Sequence, residues 1–121
     1  MAKILAVDDS LAIRSMLKMV LEDAGHKVVI AEDGVEAMKV ARNRVADLVI
    51  SDLNMPNMGG MSLVNNLRRL EHYQEVPILI MTTESDKYKK DKAKKSGANG
   101  WIQKPVEQER LIAAVNKVLG L

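Results

Sequence analysis

The 121-residue chain contains no cysteine and no phenylalanine, and it has only two histidines. The lack of cysteine excludes a disulfide framework, a thiol nucleophile, an iron–sulfur cluster and a zinc site built on thiolates. Two histidines are also too few for most metal sites with imidazole ligands. Any metal binding or group transfer by this chain must therefore rest on carboxylates, hydroxyls and amines.

Aromatic residues and long apolar runs are equally scarce. The aromatic residues are Tyr73, Tyr88 and Trp101, too few for the base stacking that holds single-stranded nucleic acid. The net charge of +2 is too small to indicate a nucleic-acid partner. No apolar run approaches the roughly 20 residues of a membrane span, and Asp8 and Asp9 come too early for a signal peptide. We therefore expect a cytoplasmic protein that binds neither nucleic acid nor a membrane.

The remaining composition is that of a globular protein, and short apolar runs alternate with helical patterns. The length fits a single domain spanning residues 1–121. Strands are predicted at residues 4–7, 28–31, 48–50, 77–81 and 100–103. Helices are predicted at residues 13–24, 33–41, 63–70, 84–96 and 111–119. Five strand–helix units with short connections predict an α/β fold, a doubly wound five-stranded parallel sheet with helices on both faces.

Polar side chains follow four of the five predicted strands. Asp8 and Asp9 follow the first strand, Asp52 ends the third, Thr82 follows the fourth, and Lys104 follows the fifth. Ligands of open parallel sheets bind at the carboxyl ends of the strands, so we expect these side chains to converge on one edge.

Three carboxylates at one edge need a cation. Two carboxylates about 4 Å apart repel by roughly 4 kcal/mol at an effective dielectric constant near 20. Mg²⁺ prefers such hard oxygen ligands and also binds phosphate oxygens. A carboxylate beside this ion can act as a nucleophile towards phosphorus. The pattern therefore predicts an aspartate that accepts a phosphoryl group, with an ammonium and a hydroxyl to stabilise the transferred charge.

Four motifs occur in order at these strand ends: residues 7–10 (VDDS), 51–56 (SDLNMP), 81–84 (MTTE) and 104–105 (KP). Together they resemble the receiver domains of two-component response regulators, and the likeness is closest to stand-alone chemotaxis regulators of the CheY type. The resemblance extends over essentially the whole chain. It implies a flavodoxin-like (βα)5 fold with the strand order 2-1-3-4-5.

The resemblance also implies a role for each residue of the acidic edge. Asp52 is the implied phosphoacceptor, which takes its phosphoryl group from a phosphohistidine on a sensor histidine kinase. Mg²⁺ is the implied cofactor, bound directly by Asp9, by Asp52 and by the backbone carbonyl of Asn54, and by Asp8 through water.

Other residues have implied roles in the switch itself. Lys104 is expected to pair with the phosphoryl oxygens, across a cis Lys104–Pro105 bond. Thr82 is expected to move its hydroxyl onto the phosphate while Trp101, where relatives usually have Tyr or Phe, changes rotamer. Asn54 and Glu84 are expected to tune the lifetime of the aspartyl phosphate, and they resemble the pair that favours fairly rapid self-dephosphorylation.

The implied function is a phosphorylation-activated switch without enzymatic activity beyond its own phosphorylation and dephosphorylation. The face formed by helix 4, strand 5 and helix 5 is expected to control a protein partner, first of all the flagellar motor switch in chemotaxis. The expected partners also include a chemotaxis-type kinase and a phosphatase, and the chain is expected to be a monomer. An alternative is a single-domain receiver in another phosphorelay or in a twitching-motility pathway.

Two alternatives belong to other classes of protein. A Mg²⁺-dependent phosphatase that works through an aspartyl phosphate would resemble this site, but Asn54 lacks the second carboxylate needed for acid–base catalysis. A flavodoxin-like FMN protein would share the architecture, but Asp8 and Asp9 would repel a phosphate group after the first strand.

Two features remain outside these motifs. Residues 87–95 include six lysines, which favour a solvated helix face, with attraction of an acidic partner as the alternative. His26 and His72 are expected to be exposed residues of loops or helix ends.

Overall fold

The computed structural model describes residues 1–83 and 87–121. The strands are β1 Lys3–Val7, β2 Lys27–Ala31, β3 Leu48–Asp52, β4 Ile78–Thr82 and β5 Gly100–Gln103. The helices are α1 Leu11–Asp23, α2 Gly34–Asn43, α3 Gly60–Arg68, α4 Lys87–Ser96 and α5 Gln108–Leu119. A short 3-10 helix, Glu71–Tyr73, lies between α3 and β4.

The five strands form one parallel sheet in the order β2-β1-β3-β4-β5. This order confirms the predicted doubly wound, flavodoxin-like fold. The three central strands are almost entirely buried, and β3 and β4 are buried at every residue. Burial on both faces explains why these strands are continuous apolar runs in the sequence.

Two apolar layers enclose the sheet because successive side chains of a strand point to opposite faces. On β1, Leu5 and Val7 belong to the layer under α2, α3 and α4, whereas Ile4 and Ala6 belong to the layer under α1 and α5. The helices therefore lie on both sides of the sheet, as the alternation of strands and helices predicts.

Side-chain caps fix the start of two helices. The Ser10 hydroxyl accepts the backbone N–H of Ile13 at 3.3 Å, at the start of α1. The Asp33 carboxylate accepts the N–H of Glu36 at 2.9 Å, at the start of α2, and aspartate is a favoured residue at such a cap. Because the carboxylate accepts this bond and one from Asn57, the pKa of Asp33 lies below its usual value.

The structure corrects several predicted boundaries. β3 continues through Asp52 and β4 through Thr82, so both polar residues belong to the ends of strands. α3 spans Gly60–Arg68 and not residues 63–70. The predicted start of the fourth helix, at residue 84, lies outside the described residues, and its described part is Lys87–Ser96.

The prediction that both histidines are exposed is confirmed for His72 and wrong for His26. His72 is exposed, with Nε2 2.7 Å from the carbonyl oxygen of Ala41. His26 is buried, and its Nδ1 accepts the backbone N–H of Ala2 at 3.1 Å, a bond that ties the amino end of the chain to the edge of the ring. Among the helices that the structure describes, none is long and apolar enough to span a membrane.

Candidate functional site

The predicted carboxylates meet at the carboxyl edge of the sheet. β1 and β3 are neighbours, with Val7 opposite Ser51, so the residues that follow these two positions lie close together. Asp8, Asp9 and Asp52 each place a carboxylate oxygen within 4.8 Å of the others. Asp8 and Asp52 are buried and Asp9 is exposed. The cluster therefore has a buried base and one side open to solvent.

Lys104 reaches into this cluster from the end of β5. Its Nζ lies 2.9 Å from Oδ2 of Asp8 and 3.3 Å from Oδ1 of Asp52. Its backbone N–H donates to the carbonyl of Thr82 at 2.8 Å, which aligns the lysine with the edge of the sheet. The bond to Pro105 is cis, as predicted. The side chain thus crosses the end of β4 to reach carboxylates on β1 and β3.

Backbone donors hold the two buried carboxylates in place. Asp8 Oδ1 accepts the N–H of Ser10 at 2.9 Å, and Asp52 Oδ1 accepts the N–H of Leu53 at 2.9 Å. The Arg14 guanidinium donates to the carbonyl oxygen of Asp8 at 2.8 Å. Among residues 1–83 and 87–121, no hydrogen bond is made to Oδ2 of Asp52. The Leu53 N–H and the Lys104 ammonium both contact Oδ1 instead.

The electrostatics of the cluster are unbalanced towards negative charge. Burial, together with the nearby Asp8 carboxylate, raises the pKa of Asp52, although Lys104 and the Leu53 N–H oppose this. Burial acts to lower the pKa of Lys104, but its hydrogen bond with Asp8 and the charges of both carboxylates outweigh burial and raise the pKa. The ammonium therefore stays protonated, yet it does not neutralise three carboxylates.

The loop after β3 is packed tightly against Asp52, a contact that the sequence motifs do not indicate. A Cβ on Gly60 would collide with the carbonyl oxygen of Asp52, and the Gly60 N–H donates to the carbonyl of Leu53 at 2.8 Å. The Asn57 amide donates to Asp33 Oδ2 at 2.8 Å, which ties the loop to the start of α2. The run of turn-forming residues between positions 54 and 60 was the available indication of this structure.

The predicted switch residues lie on β4 and β5, the two strands at one edge of the sheet. Thr82 is buried at the end of β4, opposite Gln103, and Trp101 lies opposite Ile80. Since side chains alternate along a strand, Thr82 and Trp101 share a face of the sheet. Trp101 is half-buried, with the Nζ of Lys90 5.9 Å from its ring centroid.

Two predicted site residues remain, Asn54 and Glu84. Asn54 is exposed, two residues after Asp52. Glu84 lies outside the described residues, so its proposed effect on phosphoryl lifetime stays a prediction. Thr83, beside it, is exposed.

The donor set of the cluster suits Mg²⁺. Three carboxylates supply only hard oxygen atoms, which this ion prefers over nitrogen or sulfur. The exposed Asp9 leaves room for the water and phosphate ligands that Mg²⁺ usually keeps. Asp8, Asp9 and Asp52 are therefore fitted to hold the ion that the sequence analysis predicts.

Comparisons with known proteins identify the family and agree with the fold. The model of the response regulator receiver domain family matches residues 4–116. The protein PilH of Pseudomonas aeruginosa is 35% identical over 119 residues, which are 98% of both chains. A chemotaxis protein CheY homolog of Campylobacter jejuni is 39% identical over 120 residues, which are 98% of this chain and 92% of that protein.

A solved structure gives the same result in three dimensions. The chemotaxis response regulator CheY4 of Vibrio cholerae is 45% identical to this chain and superposes with a TM-score of 0.95. The alignment covers 98% of this chain and 99% of that chain. The matched family region includes every residue of the acidic cluster and Lys104. The chain therefore belongs to the response regulator receiver domain family, the receiver domains of two-component signalling.

Proposed function

We propose that this chain is a phosphorylation-activated switch that accepts a phosphoryl group on Asp52 from a sensor histidine kinase. One observation carries the proposal. The Asp52 carboxylate lies within 4.8 Å of two other carboxylates and 3.3 Å from the Lys104 ammonium. Phosphoryl transfer needs this combination, because a nucleophilic oxygen must come close to groups that stabilise the oxygens of the transferred phosphoryl.

The proposed transfer begins at Asp52. Its Oδ2 attacks phosphorus in line with the leaving nitrogen of the phosphohistidine, an O–P bond forms, and the N–P bond breaks. The bonding electron pair goes to the imidazole, and the product is a mixed anhydride on Asp52. The hydrogen bond from Leu53 to Oδ1 orients the carboxylate while Oδ2 reacts.

A divalent cation is proposed as the cofactor of this step. Asp9, Asp52 and the carbonyl of Asn54 would hold Mg²⁺ directly, and Asp8 would hold it through water. When bound, the ion would neutralise charge on the carboxylates and on the phosphoryl oxygens. Asp8 is buried and hydrogen-bonded to the N–H of Ser10, so its carboxylate would stay oriented towards the proposed Mg²⁺ site.

Lys104 and Thr82 would then stabilise the phosphorylated state. Lys104 can move its ammonium from Asp52 to the new phosphoryl oxygens while it keeps its bond to Asp8. The Thr82 hydroxyl would donate to a phosphoryl oxygen, and Trp101, on the same face of the sheet, would change rotamer. These shifts would alter the face formed by α4, β5 and α5, so phosphorylation would change the affinity for a protein partner.

The relatives favour a chemotaxis pathway. Both the Campylobacter jejuni and the Vibrio cholerae relatives are named as chemotaxis proteins, and we propose the flagellar motor switch as the first output partner to test. PilH is not named as one, so another phosphorelay or motility pathway stays the alternative. We propose that the chain catalyses no reaction other than its own phosphorylation and dephosphorylation.

Phosphotransfer from a histidine kinase tests the proposal. A purified kinase carrying labelled phosphohistidine is mixed with the chain in the presence of Mg²⁺. We expect label to move to the wild-type chain and to the Asp23→Asn variant, since Asp23 is an exposed residue at the end of α1. We expect none on Asp52→Asn. Label on the Asp52→Asn variant would refute the proposed acceptor.

A further inference from the structure

A second concave surface lies at the amino ends of β1 and β2, the opposite edge of the sheet from the acidic cluster. It is a cavity of about 510 Å³, and small-molecule sites commonly measure about 300–1,000 Å³. Much of its wall is apolar, formed by Leu5, Val29, Val40 and Val45. The Val45 residue is 54% exposed, so the cavity offers apolar surface that the fold itself does not cover.

Three cationic side chains line the same cavity: Lys3, Lys27 and Arg44. Lys3 and Lys27 are direct partners in the register of β1 and β2, and like charges at opposite positions of paired strands repel. All three residues are exposed. In the part of the chain that the structure describes, none of them forms an ion pair. A bound anion would remove this repulsion.

The backbone around the cavity is already held in place by internal hydrogen bonds. The buried Tyr73 hydroxyl donates to the carbonyl of Arg44 at 2.6 Å and accepts the N–H of Ala46 at 3.0 Å. The Asp47 carboxylate accepts the backbone N–H of Lys3 at 2.8 Å. The wall is therefore formed without a ligand, and the side-chain cations are not needed to build it.

We propose that this cavity binds a small organic anion with an apolar body. The body lies against the valine side chains, and its carboxylate, sulfonate or phosphate group is held by Lys3, Lys27 and Arg44. A guanidinium favours such groups because its planar fork can donate two parallel hydrogen bonds. None of these residues belongs to the Asp52 cluster, so the inference does not depend on the proposed phosphoryl transfer.

A titration followed by amide chemical shifts tests the proposal. Octanoate and naphthalenesulfonate serve as probes, because each joins an apolar body to one anionic group. Acetate supplies the anion alone, and octanol supplies the apolar body alone. We expect saturable shifts with both probes at residues 3–5, 27–29 and 43–46, and much weaker shifts with acetate and octanol.

Variants then separate this site from general surface binding. The Lys27→Gln/Arg44→Gln double variant should bind both probes about tenfold more weakly, as expected for the loss of a charge-assisted hydrogen bond. Arg44→Lys should retain part of the affinity. Lys18→Gln, an exposed lysine of α1, should bind like wild type, and so should Asp52→Asn. The absence of saturable shifts at the cavity with both probes, or undiminished binding by the double variant, would overturn the proposal.

Discussion

The Nζ of Lys104 lies 2.9 Å from Oδ2 of Asp8, although the two residues are 96 positions apart in the chain. The same ammonium is 3.3 Å from Asp52, so one cation bridges the ends of β1 and β3 from the end of β5. It cannot balance three carboxylates. Because of this excess negative charge, we expect the protein to be less stable without a bound cation than with one. The difference can be measured as a change in the free energy of unfolding.

The ionised Asp52 should destabilise the metal-free protein. Its pKa is raised above the ordinary value of 3.8, so the native state binds more protons than the unfolded state between the two pKa values. Stability therefore falls as the pH rises through this interval, and the cost stays constant above it. Metal-free Asp52→Asn should unfold at a higher temperature than wild type at pH near 7.

Thermal unfolding in the presence of a chelator measures this difference. A gain of about 1 kcal/mol would raise Tm by about 3–6 °C in a chain of this size. The gain should shrink as the pH is lowered towards 3.8 and vanish below it, and Asp23→Asn should show none. A variant that is less stable than wild type at neutral pH would contradict the account of the cluster.

Mg²⁺ should reverse this order of stability. A ligand that binds only the native state stabilises it by about 2.7 kcal/mol when its concentration is 100 times Kd. Wild type should gain this stabilisation on titration with Mg²⁺, whereas Asp52→Asn and Asp9→Asn should gain much less because each lacks one carboxylate. Equal gains in Tm for wild type and both variants would place the ion elsewhere.

Arg68 should be important for stability although it is far from the acidic cluster. Its guanidinium donates to the backbone carbonyls of Tyr73, Val76 and Gly97 and to the side-chain oxygen of Asn99. It thereby joins the end of α3 to the start of β4 and the end of α4. Arg68→Ala should lower the free energy of unfolding by about 2 kcal/mol, because part-buried carbonyls lose their donor.

Urea denaturation distinguishes this network from a simple effect of charge. Arg68→Lys keeps the charge but not the fork of donors, and we expect it to lie between wild type and Arg68→Ala. The neighbouring Arg69 is exposed, and Arg69→Ala should change stability by less than about 0.5 kcal/mol. An Arg68→Ala variant as stable as Arg69→Ala would show that the bonds contribute nothing net.

Thr82 should couple phosphorylation to the fluorescence of Trp101. The two residues share a face of the sheet on adjacent strands, and Trp101 is the only tryptophan. The Thr82→Ala variant should still accept a phosphoryl group from acetyl phosphate, but its fluorescence change should be much smaller than that of wild type. The exposed Thr83 provides the matched control, and Thr83→Ala should respond like wild type. Equal responses from Thr82→Ala and wild type would remove Thr82 from the switch.

The sequence was sufficient to predict the fold. It also predicted that polar residues far apart in the chain lie together at the carboxyl edge of the sheet. Apolar runs alternating with helical patterns predicted a parallel sheet, and a parallel sheet brings its carboxyl ends to one edge. The sequence alone therefore predicts that Asp8, Asp52 and Lys104 lie together. The roles of Thr82 and Trp101 came from the family resemblance and not from the pattern.

The features that were not predicted depend on contacts between distant segments. Tyr73 is buried because its hydroxyl bonds to backbone groups of residues 44 and 46, and no local pattern indicates such a pairing. In the sequence, Arg68 looks like an ordinary charged surface residue. Only the folded structure brings the carbonyls of other segments to its guanidinium. His26 was expected to be exposed, but it is buried and hydrogen-bonded to the backbone of Ala2, 24 positions away in the chain.

Chemical mapping of the phosphoryl group shows whether Asp52 is the residue that accepts it. The chain is incubated with acetyl phosphate with and without Mg²⁺, its intact mass is measured, and the aspartyl phosphate is reduced with borohydride before peptide sequencing by mass spectrometry. We expect one added phosphoryl group, dependent on Mg²⁺, with the reduced residue at position 52 and no adduct in Asp52→Asn. An adduct mapped to another residue, or formed equally without Mg²⁺, would contradict the account of Asp52 as a metal-dependent phosphoacceptor.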